Sequence, residues 1–445
     1  IVLFLSSSVK HVLFQSNAWD LGIFDQAVYL ISQGKPAISS FLEFHILADH
    51  AAIVLYPLAL LYRIYPDVHW LLAVQAIALS LACLPTYNLS RQSGLSERYS
   101  LVLAATYLLY PLVFNLSMAD FHPEVFAIPF ILQSVYAARS NRWQWFLVWI
   151  ALALSCKAAL ALTIIALGIW LLIFENRRCG VIAIAAGILW FLIATKLIIP
   201  TFGGEAASLD RHVFRYAYLG NSLPEMINNV LSHPGLVLGR IFSWRTIDYL
   251  LLLFAPILWA VPSLKFAPFI AAIPPFLMNV LSTHAGQRNL IDQYAAPILP
   301  FLVLIAISGA NWKRISPRLI LIWSILAFLL FAKYTFFIDY LEKLDNWKAT
   351  RTAIAQISPQ ASVLTDFRLA PHLSHRTTIK LVDSARTYRS IPLEKAKEFE
   401  FILLDLRHPW GDRSVIQTWI DHLKSNSTFQ LQLDLDEIFL FKRIN

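Results

Sequence analysis

Long apolar segments, separated by short polar stretches, make up most of the chain as far as residue 338. Because a helix needs about 20 mostly apolar residues to cross a bilayer, this pattern predicts ten membrane spans. The predicted spans lie near residues 68–90, 99–117, 123–139, 143–157, 159–174, 179–200, 246–263, 264–282, 294–312 and 318–338. Residues 1–5 are expected to be the end of one more span, which gives about 10–11 in all. Residues 51–66 are also apolar, but two prolines and Arg63 interrupt them, so we expect an interfacial helix there.

From about residue 339 the composition changes, because the last 107 residues hold fourteen of the 28 acids and no predicted span, and their short segments predict a small α/β domain over residues 339–445. The stretches SVLTDF, TTIKLVD and EFILLDL are typical of strands, and residues 345–357 and SVIQTWIDHLK are typical of helices. The last two stretches, FQLQLDL and IFLFKRI, alternate apolar and polar residues and predict a hairpin. The chain is therefore predicted to be a transmembrane bundle over residues 1–338, followed by this domain.

The composition agrees with a membrane protein. Of the 445 residues, 58% are apolar and only 14% are charged, and the mean hydropathy is +0.59. Soluble domains carry roughly 25% charged residues, so the composition excludes an ordinary soluble enzyme and a disordered chain. The three cysteines have no disulfide or metal-site spacing.

Basic residues in the short connections fall mainly on one face, which the positive-inside rule assigns to the cytoplasm. These residues are Arg91, Arg98, Arg139, Arg142, Arg177, Arg178, Lys265, Lys313, Arg314 and Arg318. Of the acids before residue 339, only Glu97 and Glu175 fall on that face. The opposite face receives two long loops, 7–66 and 201–245, and by parity it also receives the C-terminal domain. We therefore expect a multi-pass protein of the bacterial inner membrane whose chemistry lies outside the cytoplasm.

Two motifs in the first long loop carry candidate catalytic side chains. Asp20 and Asp25 are five residues apart, so on one helix they would be rotated by about 140° and only one would face a site. Asp20 is a candidate general base or metal ligand, with a helix cap as the alternative. Asp49 and His50 form the second motif, again with a capping role as the alternative. His45 lies nearby, but the spacing is not diagnostic of a metal site.

Two further motifs lie at the outer ends of predicted spans. Asp120, His122 and Glu124 occur in ADFHPE, where polar groups are costly unless they face water or protein; the alternative is a capped turn. Lys157 interrupts an apolar stretch. It is expected either to extend to the lipid headgroups or to line a cavity, where it could hold a phosphate or pair with an acid.

Arg288, close to Asp292, is the candidate phosphate ligand of the later part of the bundle, because a guanidinium can bind phosphate with two hydrogen bonds. An ordinary solvated loop is the alternative. Arg211, His212 and Arg215 are weaker candidates of the same kind. No nucleotide, dinucleotide or zinc motif is present, so no organic cofactor is predicted. A divalent cation held by Asp20, Asp49 or Asp120 stays an open alternative.

Several of these stretches resemble one family. DLGIFDQA, the ADH pair, YLLYP followed by ADFHPE, the lone Lys157 and QYAAPILPF are similar to an uncharacterised bacterial family of multispanning membrane proteins, domain of unknown function 2079. That family resembles the GT-C membrane glycosyltransferases, which take sugars from polyprenyl-phosphate carriers. The resemblance implies a GT-C-like fold and places Asp20 where the catalytic carboxylate would be. One departure is that Ala158 and Ala159 follow Lys157, where the family usually has acids; this raises the prospect that this member is altered or inactive.

These observations favour a glycosyltransferase that uses a polyprenyl-phosphate sugar on the outer face. In this hypothesis Asp20 is the base and Lys157, Arg288 or His122 meets the phosphate charge, while Asp49 and Asp120 position the sugar. A transporter or flippase of an envelope precursor is the first alternative, although we find no repeat. A non-catalytic envelope assembly protein is the second. Nucleic acid is not expected as a partner.

Overall fold

A computed structural model describes residues 1–203, 214–313, 315–383 and 390–444. The described chain is mostly helical, as predicted. The α-helices up to residue 203 are Val2–Val12, Ile23–Ser32, Ile46–His50, Leu55–Ile64, His69–Leu81, Cys83–Gln92, Glu97–Leu108, Pro111–Met118, Ala127–Arg139, Trp143–Leu154, Leu160–Phe174, Arg177–Ile193 and Ile199–Gly203. The later α-helices are Leu223–Ser232, Pro234–Ile241, Trp244–Phe254, Ile273–Leu281, Leu299–Lys313, Pro317–Phe331, Phe336–Leu341, Trp347–Ala355 and Arg413–Ser425.

Shorter helical segments complete the described secondary structure between these helices. Ala18–Gly22 and Ala194–Ile198 are π-helical. The 3₁₀ segments are Pro123–Phe126, Phe214–Leu219, Ala255–Ser263, Ala267–Ala272, Ala285–Arg288, Gln293–Ala295, Lys333–Thr335, Glu342–Asp345, Ala370–Leu373 and Leu393–Glu398.

Helices occupy the positions of the predicted spans. Within the described residues, four helical segments are long and apolar enough to cross a bilayer: His69–Gln92, Glu97–Met118, Arg177–Gly203 and Trp244–Ser263. A fifth would consist of Pro317–Phe331 and Lys333–Asp345, which are bent by 43° relative to each other. Shorter apolar helices occupy most of the other predicted positions, and Leu55–Ile64 lies within residues 51–66. The prediction of a helical protein with several candidate membrane spans is confirmed, whereas the total of ten spans stays a prediction.

The described chain divides into two compact units. The first unit contains Ile1–Ile46, Leu55–Leu72 and Tyr334–Asn445, and the second contains Leu47–Val54 and Ala73–Lys333. The C-terminal α/β segment therefore forms one unit with two N-terminal segments. The predicted boundary at residue 339 and the outer location of the C-terminal segment stay predictions.

A five-stranded sheet lies in the C-terminal part of the first unit. The strands run in the order Ile379–Leu381, Val363–Thr365, Phe401–Asp405, Ile438–Arg443 and Phe429–Leu435. The first three strands are parallel, and the last two are antiparallel to their neighbours. These strands match the stretches predicted from sequence, including the final hairpin. A separate short pair, Ile38–Ser39 with Phe44–His45, is antiparallel.

The helix Arg413–Ser425 covers this sheet because its apolar residues recur at helical spacing. Ile416, Trp419, Ile420 and Leu423 are buried in one core with the strand residues. The Asp412 side chain caps the helix by accepting a hydrogen bond from the Ser414 amide at 2.8 Å.

Closely packed helices follow Lys157 in the second unit. Leu160–Phe174 and Arg177–Ile193 approach so closely at Gly168 and Gly180 that an added Cβ at Gly180 would lie 2.8 Å from the Gly168 carbonyl oxygen. Small residues at such contacts are typical of helices that pack in membranes.

Candidate functional site

A buried ion pair lies at the centre of the polar cluster in the second unit. The Lys157 ammonium lies 2.7 Å from Glu124 Oε1. The Glu124 side chain is only 3% exposed and that of Lys157 is 21% exposed. A buried carboxylate requires a counter-charge, and Lys157 supplies it. Of the alternatives given for this lysine, the structure has the pairing with an acid.

Backbone hydrogen bonds bring the ADH motif to the same lysine. The helix Trp143–Leu154 ends just before Lys157, and the exposed backbone groups of the break find partners in residues 50–54. The Ala158 amide donates to the His50 carbonyl oxygen at 2.7 Å, and the Val54 amide donates to the Ser155 carbonyl oxygen at 3.1 Å. Two motifs that are about 100 residues apart in sequence therefore share one hydrogen-bonded turn.

Asp49 and His50 are part of this cluster. His50 Nε2 lies 3.4 Å from Asp49 Oδ2, and its Nδ1 lies 2.8 Å from the Asp49 carbonyl oxygen. Both residues belong to Ile46–His50, which ends before Leu55–Ile64 begins, so Asp49 does not cap the longer helix. The capping alternative for Asp49 is wrong for that reason.

Gln75 holds the ADFHPE turn in place. Its side-chain amide donates to the Asp120 carbonyl oxygen at 2.5 Å, and its Oε1 accepts the His122 amide at 2.8 Å. Gln75 is 1% exposed and lies inside a candidate span, where these bonds satisfy its polar atoms. Asp120 has a φ of 68°, a left-handed conformation that Asp adopts more readily than most residues. The turn then leads into the 3₁₀ helix Pro123–Phe126, which carries Glu124.

The cluster combines two acids, two imidazoles and one ammonium. Glu124 Oε2 is buried and, among the described residues, accepts no hydrogen bond. No group of three or more metal-type ligands in the described part of the chain is arranged to hold a metal ion. The arrangement can donate to and accept from the hydroxyl groups of a bound ligand. Because Glu124 balances Lys157, the cluster offers little net positive charge to a phosphate.

Among the described residues, several positive charges lie together around Arg288 instead. Burial, together with the positive charges of Arg245 and Arg240, lowers the pKa of Arg288 below its ordinary value. The Arg240 guanidinium lies 3.8 Å from the centre of the Tyr218 ring and donates to the Ser282 carbonyl oxygen at 3.3 Å. Arginine side chains that lie close enough for their charges to act on Arg288 form an arrangement suited to an anion such as phosphate.

The segment Phe214–Leu219 connects these arginines to the lysine cluster. Its Tyr218 hydroxyl donates to the Leu281 carbonyl oxygen at 2.9 Å. Burial raises the pKa of Tyr216, and the positive charges of both Arg215 and Lys157 act on the same hydroxyl. Arg215 therefore lies near the predicted site residues, whereas Arg211 and His212 lie outside the described residues.

Asp20 belongs to the first unit, in the π-helical segment Ala18–Gly22. Asn17 is the cap of this segment, because its side chain accepts the Asp20 amide at 2.9 Å. The Asn17 side-chain amide in turn donates to Asp20 Oδ2 at 2.7 Å. The alternative that Asp20 caps the helix is wrong, and its half-buried carboxylate is oriented by Asn17 instead.

Asp25 is the buried acid of the pair, with 1% exposure, so only one of the two acids points fully inward, as predicted. Tyr62 donates to Asp25 Oδ1 at 2.5 Å, Ser374 donates to Oδ2, and His375 Nε2 lies 3.1 Å from Oδ1. Burial raises the pKa of Asp25, but the charge and hydrogen bond of His375 outweigh it and hold the pKa below its ordinary value. The same interaction raises the pKa of His375 despite its burial.

A family model described as "Predicted membrane protein (DUF2079)" matches residues 10–440. The chain belongs to this family. No curated protein matches its sequence at a significant level. Among solved structures, ArnT from Cupriavidus metallidurans in the apo state has a TM-score of 0.54 at 12% identity, covering 100% of this chain and 97% of that one. The same protein bound to undecaprenyl phosphate gives a TM-score of 0.56 at 12% identity, with coverage of 100% and 98%. The family member described here therefore has a fold similar to that of ArnT.

Ala158 and Ala159 follow Lys157 in this turn, and the Ala158 amide is the group that donates to the His50 carbonyl oxygen. Sequence reasoning missed Gln75, Arg240, Arg245 and His375. A lone glutamine in an apolar span was a usable signal for Gln75, because an unpaired amide there would be costly.

Proposed function

We propose that the protein is a membrane glycosyltransferase that takes a sugar from a polyprenyl-phosphate carrier and transfers it on the outer face of a bacterial inner membrane. The observation that carries the proposal is the fold, which matches ArnT over the whole chain. One of the matching ArnT structures contains undecaprenyl phosphate. The polar clusters described above supply the groups that such a reaction requires.

The carrier phosphate would bind at Arg288, Arg240 and Arg245. After burial, the largest influences on the pKa of Arg288 are the positive charges of Arg245 and Arg240, which lower it. Apolar side chains next to Arg240 and Arg245 are strongly exposed, with Phe242 at 78% and Trp244 at 80%. Apolar exposure next to arginines suits a ligand with a lipid chain and an anionic head.

The sugar would lie against the Lys157 cluster. Glu124 and Asp49 accept hydrogen bonds from hydroxyl groups, and Lys157, His50 and His122 donate them. Asp120 is not assigned a contact with the sugar; its left-handed backbone shapes the turn that carries His122. Lys157 and His122 can also meet phosphate charge as it develops, but the Glu124 carboxylate makes Lys157 the weaker phosphate ligand.

The chemical step needs a base for the acceptor hydroxyl. That hydroxyl oxygen attacks the anomeric carbon, the bond from this carbon to the phosphate oxygen breaks, and polyprenyl phosphate leaves as the anion. The acceptor proton passes to a carboxylate, and Asp20 is the candidate because Asn17 orients it and leaves it half exposed.

The first test is the thermal stability of the detergent-purified protein with undecaprenyl phosphate, because a ligand of the folded state raises stability by mass action. We expect stabilisation in the wild type, a loss of it in Arg288→Ala and Arg240→Ala, and no change in Arg413→Ala, a matched exposed arginine. Folded wild-type protein that shows no shift would contradict the proposal.

The second test separates binding from chemistry. Asp20→Asn should bind undecaprenyl phosphate as the wild type does, while the release of labelled sugar from an undecaprenyl-phosphate donor should fall by at least about a hundredfold. Unchanged release would exclude Asp20 as the base without affecting the binding result.

A further inference from the structure

His375 and Asp25 form an aspartate–histidine pair in the first unit to which the transfer has so far given no role. His375 Nε2 lies 3.1 Å from the Asp25 carboxylate. The Asp25 side chain is 1% exposed, whereas the His375 side chain is 31% exposed. Two further pairs of this kind occur among the described residues of the first unit, Asp67–His69 and Asp345–His408. Their acids are 35% and 43% exposed, so of the three pairs only Asp25–His375 combines an accessible histidine with a buried acid.

Neighbours on two helices fix the orientation of the His375 ring. The Tyr29 ring, on the helix Ile23–Ser32, is stacked on it with centroids 4.7 Å apart and an angle of 4° between the planes. The Tyr62 ring, on the helix Leu55–Ile64, meets it edge-on at 5.7 Å. Tyr62 and Ser374 also donate to Asp25, so the carboxylate is held in place as well. The His375 ring therefore cannot rotate without losing both the stacking and its hydrogen bond.

This orientation leaves Nδ1 as the atom of His375 that can take up a proton. A carboxylate only accepts hydrogen bonds, so Nε2 carries the hydrogen that Asp25 accepts, and in the neutral ring Nδ1 carries the lone pair. Nδ1 has no hydrogen-bond partner among the described residues and is not buried, so water can reach it. A buried acid behind a histidine stabilises the imidazolium that forms when the exposed nitrogen gains a proton.

The loop that carries His375 runs beside the helical segment that carries Asp20. At one end of the loop, the Phe367 carbonyl oxygen accepts the Ala18 amide at 3.1 Å. At the other end, His375 bonds to Asp25. Asp20 lies in sequence between these two contacts, and five helical residues separate it from Asp25 by about 7.5 Å along the axis. Two or three hydrogen bonds of about 2.8 Å, made through water, are enough to span that distance.

The charges around His375 suit a group that gains and loses a proton near neutral pH. Burial and the positive charge of Arg376 lower the pKa of His375, but the charge and hydrogen bond of Asp25 and the charge of Asp67 outweigh them and raise it. The titratable and charged groups around the ring are Asp25, Tyr29, Tyr62, Asp67 and Arg376. An ordinary carboxylic acid has a pKa of about 4, so a proton that a carboxylate has taken up passes to such a histidine with a gain in free energy.

We propose that His375 receives the acceptor proton from Asp20 through water and then releases it to the solvent. This inference rests on the proposed function, in which Asp20 removes the proton from the acceptor hydroxyl. The protonated Asp20 gives its proton to an intervening water while that water gives one to His375 Nδ1. Asp20 returns to the carboxylate, and the imidazolium is paired with Asp25 until bulk water takes the proton. His375 acts through Asp20 and does not itself contact the substrate in this scheme.

The test is the pH profile of sugar release by the full-length protein in detergent, with a radiolabelled undecaprenyl-phosphate sugar as donor and water as acceptor. We expect the wild-type kcat to fall at low pH, with a midpoint above about 6.5 that reports His375. His375→Gln should lower kcat at pH 7.5 by at least about tenfold and remove this midpoint. Asp25→Asn is a second variant in case His375→Gln destabilises the fold. It keeps the histidine but withdraws the negative charge, so the midpoint should move down by about one pH unit or more.

His408→Gln is the matched control, because His408 also bonds to an aspartate, Asp345, but that acid is exposed. This variant should keep the wild-type profile. A fall in kcat in His375→Gln at every pH with the midpoint unchanged would mean that His375 only supports the structure, and it would overturn the proposal. Wild-type kcat in His375→Gln would overturn it too, while leaving the proposed function intact. Absence of both undecaprenyl phosphate binding and sugar release in folded wild-type protein would instead refute the proposed function, and this inference with it.

Discussion

Replacing Lys157 with methionine tests whether the Lys157–Glu124 pair is needed to keep a carboxylate buried. The substitution keeps the length of the side chain and removes only the ammonium. Glu124, which is 3% exposed, would then be a buried carboxylate without its counter-charge. Breaking one side of a buried ion pair costs about 3–5 kcal/mol. The Lys157 side chain is 21% exposed, so water can partly replace its ammonium in the variant. We therefore expect Lys157→Met to lower the free energy of unfolding by about 3 kcal/mol.

A double-mutant cycle separates the pair from the individual side chains. Glu124→Gln removes the charge that needs compensation, so the double variant should recover most of the lost stability and the coupling should be about 2 kcal/mol. The assay is reversible unfolding in mixed detergent micelles, followed by tryptophan fluorescence. The Arg139–Glu175 pair is a control, because the Glu175 side chain is 23% exposed, against 3% for Glu124, and its coupling should be below about 1 kcal/mol.

Additive effects of the two substitutions would refute this reasoning. Lys157 and Glu124 would then be near each other without depending on each other, and the lysine would be available to a phosphate. Strong coupling would instead mean that the Lys157 charge serves to neutralise Glu124 and is not available to a ligand.

Three further predictions concern other parts of the chain. The Asp25–His375 pair should stabilise the first unit most between about pH 4 and 6.5. The pKa of Asp25 is lowered in the folded state, so the stability that Asp25 contributes is lost as the pH falls below this window. The pKa of His375 is raised, so the stability that His375 contributes is lost as the pH rises above it. His375→Gln should flatten the dependence of the thermal midpoint on pH across this window, and an unchanged profile would contradict the assignment. Gly180→Leu should destabilise the second unit by about 1–3 kcal/mol, because a Cβ at this position lies 2.6 Å from the backbone of the neighbouring helix. Gly235→Ala is the control and should be nearly neutral, because a Cβ added there has no neighbouring atom within 4 Å. Gln75→Leu removes the side-chain hydrogen bonds that hold the ADFHPE turn. It should lower the free energy of unfolding by about 2–3 kcal/mol and reduce turnover of the sugar donor. A variant with normal stability would show that these bonds contribute little.

Local patterns predicted the C-terminal strands well and the site only in part. Each strand after residue 360 falls in a short, largely apolar stretch that is recognisable in the sequence by itself. The antiparallel pairing of Phe429–Leu435 with Ile438–Arg443 likewise follows from a short turn. Such features depend on neighbours in sequence, and a sequence displays them directly.

The site depends on neighbours in space instead. In the sequence, Arg240 and Arg245 belong to a long loop and carry no motif that marks them as functional. Only the fold brings them close to Arg288. The partner of Lys157 was equally hidden, because Glu124 lies 33 residues away in a different motif. The residue types at the site were predictable, since charges are rare in apolar segments, but their pairing was not.

The pairing assigns different roles to two kinds of positive charge in the second unit. The Lys157 charge is balanced by Glu124, so losing it should mainly reduce stability. Burial and the charges of Arg245 and Arg240 lower the pKa of Arg288, so Arg288 lies in a positive environment that an anionic ligand would relieve. We therefore expect Arg288→Ala to leave the unfolding free energy within about 0.5 kcal/mol and to abolish stabilisation by undecaprenyl phosphate. Lys157→Met should show the reverse, with lower stability but retained stabilisation by the lipid. If both variants lost lipid binding equally, the phosphate would lie between the two clusters and the division of roles would be wrong.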